Sequence, residues 1–152
     1  MTTIVQGIDG LKEKVGEHLG YSDWHEVTQE QVNLFADATG DHQWIHVDPE
    51  RAAKESPFGG PIAHGYLTIS LAPKLLPQVL RVDGIAMGVN YGINKLRFPS
   101  PVPVDSRIRA TATLREVADI PIGTQVVISF VVEREGGDKP ACIADVVYVM
   151  AA

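Results

Sequence analysis

The spacing of apolar residues along this chain changes character once, near residue 85, from helical to strand-like. Between His64 and Val79, Leu67, Leu71, Leu75 and Val79 recur every four residues, and Ile69, Leu76 and Leu80 widen the stripe. So broad an apolar face belongs to a helix covered on most sides. Pro73 falls inside it, and a helix must either bend there or end its first part before that residue. Beyond residue 85, apolar and polar residues alternate. In 107 to 115, Ile108, Ala110, Ala112 and Leu114 share one face, and Arg107, Arg109, Thr111, Thr113 and Arg115 the other. The runs 85 to 98, 122 to 134 and 140 to 150 are rich in β-branched or aromatic residues, and Gly136-Gly137-Asp138 supplies a turn between the last two. One buried helix followed by successive long strands predicts an α+β fold, an antiparallel sheet wrapped around that helix.

The first sixty residues read as shorter pieces. Ile8, Leu11, Val15 and Leu19 predict an amphipathic helix over 8 to 19 with Gly20 as its stop, and 21 to 27 alternates weakly as a strand. Thr28-Gln29-Glu30-Gln31 has the pattern of a capping box, opening a helix with Val32, Phe35 and Ala36 on one face. That helix is expected to end at Thr39-Gly40, because glycine accepts the left-handed conformation common just past a helix. Asp48-Pro49 reads as the next start, with Asp48 as N-cap and therefore structural. Between these signals lie Asp41 and His46. A carboxylate and an imidazole that touch one water molecule form an acid/base pair. Asp and His are also ordinary turn formers, so the spacing alone does not choose between the two roles.

Composition narrows the classes. With 152 residues, 45% of them hydrophobic, the chain suits one domain spanning 1–152. A formal charge of −6 and the absence of a dense Lys/Arg run argue against a nucleic-acid surface. Cys142 is the single cysteine, set in an apolar run, so it can form neither an internal disulfide nor a multi-cysteine zinc site and is read as core. No apolar stretch reaches the roughly 18 residues of a membrane span, and no basic region precedes an apolar one at the N-terminus, so no membrane association is expected and the cytoplasm is the expected compartment. His18, His25 and His42 read as surface or turn residues. The intervals among His42, His46, Asp48 and His64 match no standard zinc or iron spacing, so no metal is expected.

The pattern Phe35-Ala36-x-x-Thr39-Gly40-Asp41-x-x-x-x-His46-x-Asp48-Pro49-x-x-Ala52 resembles the hydratase signature of the MaoC-like, (R)-specific enoyl-CoA hydratases. Two further landmarks follow in the order of that family: Pro61-Ile62-Ala63-His64-Gly65-Tyr66-Leu67-Thr68 and Leu96-Arg97-Phe98-Pro99-Ser100-Pro101-Val102. The resemblance covers roughly residues 25 to 110 and implies a single hotdog domain. It implies that Asp41 and His46 are catalytic, and that the reaction is reversible syn addition of water to a trans-2-enoyl thioester giving the (3R)-hydroxyacyl product without metal or redox cofactor. The carrier is coenzyme A or acyl carrier protein. The family's Asn-Pro is replaced here by Gln43-Trp44, which keeps an amide but loses a fixed φ and adds a large ring, a change bearing on acyl preference.

Three tasks need groups: taking a proton from water, stabilising charge on the thioester oxygen, and protonating C2. Asp41 and His46 serve the first and last. The backbone N–H of Gly65, at the expected start of the buried helix, serves the second, and glycine there lets a carbonyl approach closely. His64, Gln43, Trp44, Phe98 and Asn94 are the further substrate-binding candidates, with Tyr91 beside Asn94. His64 is alternatively a residue that orients the loop. Lys95, Arg97 and Arg107 are candidates for coenzyme A phosphates. A sheet with an exposed edge usually pairs, so a homodimer is expected. Two other readings share the fold: an acyl-CoA thioesterase, and a non-catalytic acyl-binding subunit of a heteromeric dehydratase.

Overall fold

The computed structural model describes residues 1–152. The elements run β1 (Thr3–Gln6), α1 (Gly7–Lys12), β2 (His18–Tyr21), β3 (His25–Glu26), α2 (Gln29–Thr39), α3 (Trp44–Val47), α4 (Pro49–Glu55), α5 (Gly65–Ser70), α6 (Ala72–Val79), β4 (Leu80–Asp83), β5 (Met87–Arg97), β6 (Arg107–Ile120), β7 (Gly123–Arg134) and β8 (Cys142–Ala151). The main sheet is antiparallel in the order β2-β6-β7-β8-β5, and β3 extends the β2 edge by pairing with the start of β6.

The alternation in β6 sets which face is inside. Ile108, Ala110, Ala112 and Leu114 are buried, and the register places Phe130 opposite Ala112 and Ala144 opposite Phe130, so the inner face continues across β7 and β8. The α5–α6 stretch lies on that face, with Leu67, Leu71, Leu75, Leu76 and Val79 joining one apolar cluster with the strand residues. Each such side chain contributes about 1.5–3 kcal/mol of burial. Cys142 is a buried member of this core, as its apolar context predicts. The result is the α+β hotdog arrangement, a sheet curled around a central helix.

Of the two alternatives at Pro73, the second is found: the first part of the central helix ends before it, leaving two helices broken at Leu71, with Pro73 in the first turn of α6, where its missing N–H costs nothing. The structure corrects several local expectations. The first helix stops at Lys12 instead of continuing to 19. Leu11 and Leu19 are both buried, but Leu19 enters the core from strand β2 and Val15 is exposed. Its apolar spacing fitted both periods, and pairing with β6 won. The predicted strand over 21 to 27 is reduced to the end of β2 and the short β3. A small parallel pair, β1 with β4, had no clear signal because each strand is only four residues long. No helix is long and apolar enough to cross a membrane.

Candidate active site

The site is assembled by the ends of short elements. Thr28 caps α2, its hydroxyl accepting from the Gln31 N–H at 3.1 Å. The Gln31 side chain does not close the second half of the box and contacts His25 instead. At the other end Gly40 takes φ 82° and its N–H donates to Ala36 O at 2.8 Å. The left-handed residue turns the chain sharply out of α2 and delivers Asp41 to the surface of the turn. One oxygen of Asp41 accepts from the Gln43 N–H at 3.3 Å, and Gln43 O accepts from the His46 N–H at 3.0 Å, so the loop winds directly into the single turn of α3. That turn carries His46 back toward the interior, where it is buried.

Neighbouring chain segments determine the tautomer of each histidine. His46 Nδ1 lies 2.6 Å from Ile62 O, and since a carbonyl only accepts, Nδ1 carries the proton and Nε2 keeps a free lone pair. The His46 backbone is held in turn by Gln29, whose amide donates to His46 O at 2.7 Å, and by the Ile62 N–H donating to Ile45 O at 3.0 Å. His64 is 2% exposed. Its Nε2 donates to Asp41 O at 3.0 Å, leaving a buried Nδ1 without a protein partner. The rings of His46 and His64 stack with centroids 3.9 Å apart and planes 24° apart, and Phe35 packs on His64 from another side at 4.9 Å. A carboxylate oxygen of Asp41 and one nitrogen from each imidazole lie within 4.8 Å of one another. Burial holds the His46 imidazolium below the usual histidine range and His64 adds to the depression, outweighing the Ile62 carbonyl and Asp41, which act the other way.

An aspartate and two histidines this close have the donor types of a metal site, but the stacking opposes it. Imidazole lone pairs lie in the ring planes, and two planes stacked at 3.9 Å cannot both aim at an ion about 2.0–2.1 Å from each nitrogen. The geometry suits a small neutral molecule with two donor hydrogens.

Gly65, next to His64, opens α5. Its N–H, like others in a first helical turn, has no carbonyl partner within the helix. A Cβ at this position would sit 2.8 Å from the Phe98 ring, so the glycine is what allows that ring to close against the helix start. Both residues line a groove of about 330 Å³ together with Phe58, Ile62, Thr68 and Val102. The structure gathers Asp41, His46 and His64, while Gly65, next to His64 in the chain, and Phe98 line the adjoining groove, which Asp41 and His46 do not line. Gln43 is exposed at the entry to α3, and Trp44 lies beneath the Arg51 guanidinium, 4.3 Å from its ring centroid, turned toward α4. Asn94 lies in an irregular stretch of β5 between Ile93 and Lys95, lines none of the cavities and makes no side-chain hydrogen bond to the Asp41, His46 and His64 cluster. Tyr91 and Asn90 line a second groove of about 320 Å³ with Ile69, Ala72 and Pro73. Arg107 is paired with Glu135 at 3.0 Å. Sequence reasoning missed Gln29 and Phe35 as supports of the site. Gln29 stands in the capping box and Phe35 at the head of the hydratase signature, but their contacts with His46 and His64 arise from the packing of α2 against the site and have no local signal.

The MaoC like domain family matches residues 11–135. The 3-hydroxyacyl-thioester dehydratase Z of Mycobacterium tuberculosis is 56% identical over 141 residues, covering 92% of this chain and 93% of the relative. Nodulation protein N of Rhizobium leguminosarum bv. viciae is 45% identical, covering 87% of this chain and 83% of that protein. Among solved structures, the (R)-hydratase from A. caviae involved in PHA biosynthesis superposes with a TM-score of 0.72 at 26% identity, covering 89% of this chain and 95% of that one. A further likeness, at 24% identity and a TM-score of 0.75 over 95% of this chain and 84% of the other, is to the unliganded R-hydratase PhaJ1 of Pseudomonas aeruginosa, and it supports the fold. The chain belongs to the MaoC-like family.

Proposed function

We propose that Asp41 and His46 hold one water molecule between them and add it reversibly to a trans-2-enoyl thioester. The protein is a hydro-lyase of the 3-hydroxyacyl-thioester dehydratase and (R)-hydratase type, in keeping with its relatives' activities. The observation that carries the site assignment is that both side chains are acceptors. Asp41 presents a carboxylate and His46 a lone pair on Nε2, and a carboxylate oxygen and an imidazole nitrogen of the two residues lie within 4.8 Å, a separation one bridging water spans.

The steps balance without a cofactor. One O–H of the water donates to each acceptor; one acceptor takes its proton as the oxygen bonds to C3. The electron pair of the double bond moves toward the thioester, and charge grows on its carbonyl oxygen, where the Gly65 N–H donates. The proton then passes from the dyad to C2 on the same face, giving the (3R)-hydroxyacyl thioester, and dehydration is the reverse. Preorganised donors and positioned acid/base groups each contribute a few kcal/mol to such a barrier. Phe98 closes one side of the acyl thioester's approach. The carrier is coenzyme A or acyl carrier protein, and the compartment the cytoplasm.

The active species is a homodimer. Strand β5 is an edge of the main sheet, paired on one side to β8. Met87, Val89, Tyr91 and Ile93 are all exposed along it, and a long apolar edge of this kind is a site for pairing with a second copy. Hydration of crotonyl-CoA, followed by loss of enoyl ultraviolet absorbance, tests the assignment. Asp41→Asn and His46→Ala, folded as judged by circular dichroism, are expected to lose about 10²–10⁴-fold in kcat. Full activity in either variant refutes the dyad, and thiol release from saturated acyl-CoA by the wild type points to a thioesterase instead.

A further inference from the structure

Asp41 and His46 come from a loop, and a loop does not by itself hold two groups to the tolerance that acid/base chemistry requires. His64 touches both sides of that problem. Its Nε2–H is bonded to the main-chain oxygen of Asp41 at 3.0 Å, and its ring is stacked on His46 with centroids 3.9 Å apart. It is backed by Phe35 and almost completely removed from solvent. It also precedes Gly65 in the chain, so whatever fixes His64 fixes the helix start relative to the loop. A buried imidazole has a cost, since Nδ1 is left without a protein partner, and a purely structural role at this position would be met better by an apolar ring.

We propose that His64 is a positioning residue: its imidazole locks the Asp41 backbone by hydrogen bonding and keeps His46 in its neutral, Nε2-accepting form by stacking. The inference rests on the hydratase reading of Asp41 and His46. The two functions reside in different parts of the ring and are separable. A glutamine can place an amide donor near the Nε2 position but offers no aromatic face, while a phenylalanine keeps the face and loses the donor. The titratable groups acting on His46 are His64 and Asp41, the first opposing and the second favouring its protonation. Opening the stack admits water to His46 and removes the opposing group, so both changes raise its protonation pH.

The test uses the full-length wild type, His64→Gln and His64→Phe, with crotonyl-CoA kinetics as a function of pH and imidazole ¹⁵N NMR of histidine-labelled protein. For His64→Gln, kcat at alkaline pH is expected to fall by less than in His64→Phe, while the His46 titration seen by NMR and the acid limb of kcat/KM both move up by half a pH unit or more. For His64→Phe, which keeps the stack but also removes the opposing imidazole, the acid limb is expected to move up by less than in His64→Gln, while kcat falls at least tenfold with KM little changed. Thermal melting checks that each variant is folded; should one fail to fold, the wild-type NMR spectrum still reads the tautomers, and an Nδ1-protonated His64 overturns the proposal. It also fails if both variants match the wild type, or if they raise KM at constant kcat, which would make His64 a substrate contact. Failure of the underlying reading is recognised separately: the wild type then shows no hydration, while the NMR readout on His46 still reports whether His64 governs it.

Discussion

At the scale of single residues, the two members of the proposed dyad are held in different ways. Asp41 is exposed and placed by backbone geometry, through the left-handed Gly40 and the bond from the Gln43 N–H. His46 is buried and placed by its ring. Burial depresses its protonation, and the depression has a sign that can be checked. As pH falls below about 6.5, the unfolded chain takes up a proton at this residue that the native state refuses, so stability contributed by neutral His46 is present above that pH and is lost as pH falls toward the folded value. Urea midpoints of the wild type and His46→Gln, measured from about pH 7.5 down to about pH 5.5, are expected to converge as the solution is acidified. A gap that widens on acidification contradicts the burial argument. The same depression predicts that the acid limb of kcat/KM lies below the ordinary imidazole range.

At the scale of elements, the decisive junction is the start of α5. Adding a methyl group at Gly65 drives it into the Phe98 ring, with contacts of 2.8 Å to two ring carbons. Phe98 is part exposed and can swing away, so Gly65→Ala is expected to fold with a loss of about 1–3 kcal/mol, read from the urea midpoint. Its kcat is expected to fall more than tenfold, because the displaced ring and the methyl group crowd the N–H at position 65. Pairing it with Phe98→Leu is expected to recover most of the stability. If the double variant also recovers full turnover, the N–H at 65 is not sensitive to crowding and its role as carbonyl donor is lost. Several features of this junction were legible beforehand: the glycine, the aromatic and the histidine each stood in a motif. That Phe98 closes over Gly65 was not, because 33 residues separate them and only the packing of the 98–102 segment against α5 makes them neighbours.

At the scale of the molecule, the proposed homodimer rests on the free edge at β5. Its side chains at Val89, Tyr91 and Ile93 are 47%, 61% and 44% exposed, unusual for three apolar residues on one strand of a soluble monomer. Sedimentation of the wild type is expected to give twice the chain mass of 16.5 kDa, and Tyr91→Lys combined with Ile93→Lys the mass of one chain. A wild type that sediments as a single chain at micromolar concentration removes β5 as an assembly surface.

The α+β class, the buried stripe from Leu67 to Val79, the inward face of β6 and the caps at Thr28 and Asp48 were readable from residue order, because each is governed by a local period or by a dipeptide with restricted φ, whereas the Asp41/His46 pair was suggested by the family resemblance and not by its spacing. Length and pairing were less so: Leu19 satisfied helical spacing yet sits in a strand, since hydrogen bonding to β6 is a non-local gain that no local pattern encodes. Only the tertiary structure decided that Gln29 and Phe35 support the site, that His64 faces the loop, and that Asn94 lines none of the cavities. Those relations arise where chain segments distant in sequence compete for the same small volume, and the outcome depends on packing and on which carbonyl each imidazole reaches first.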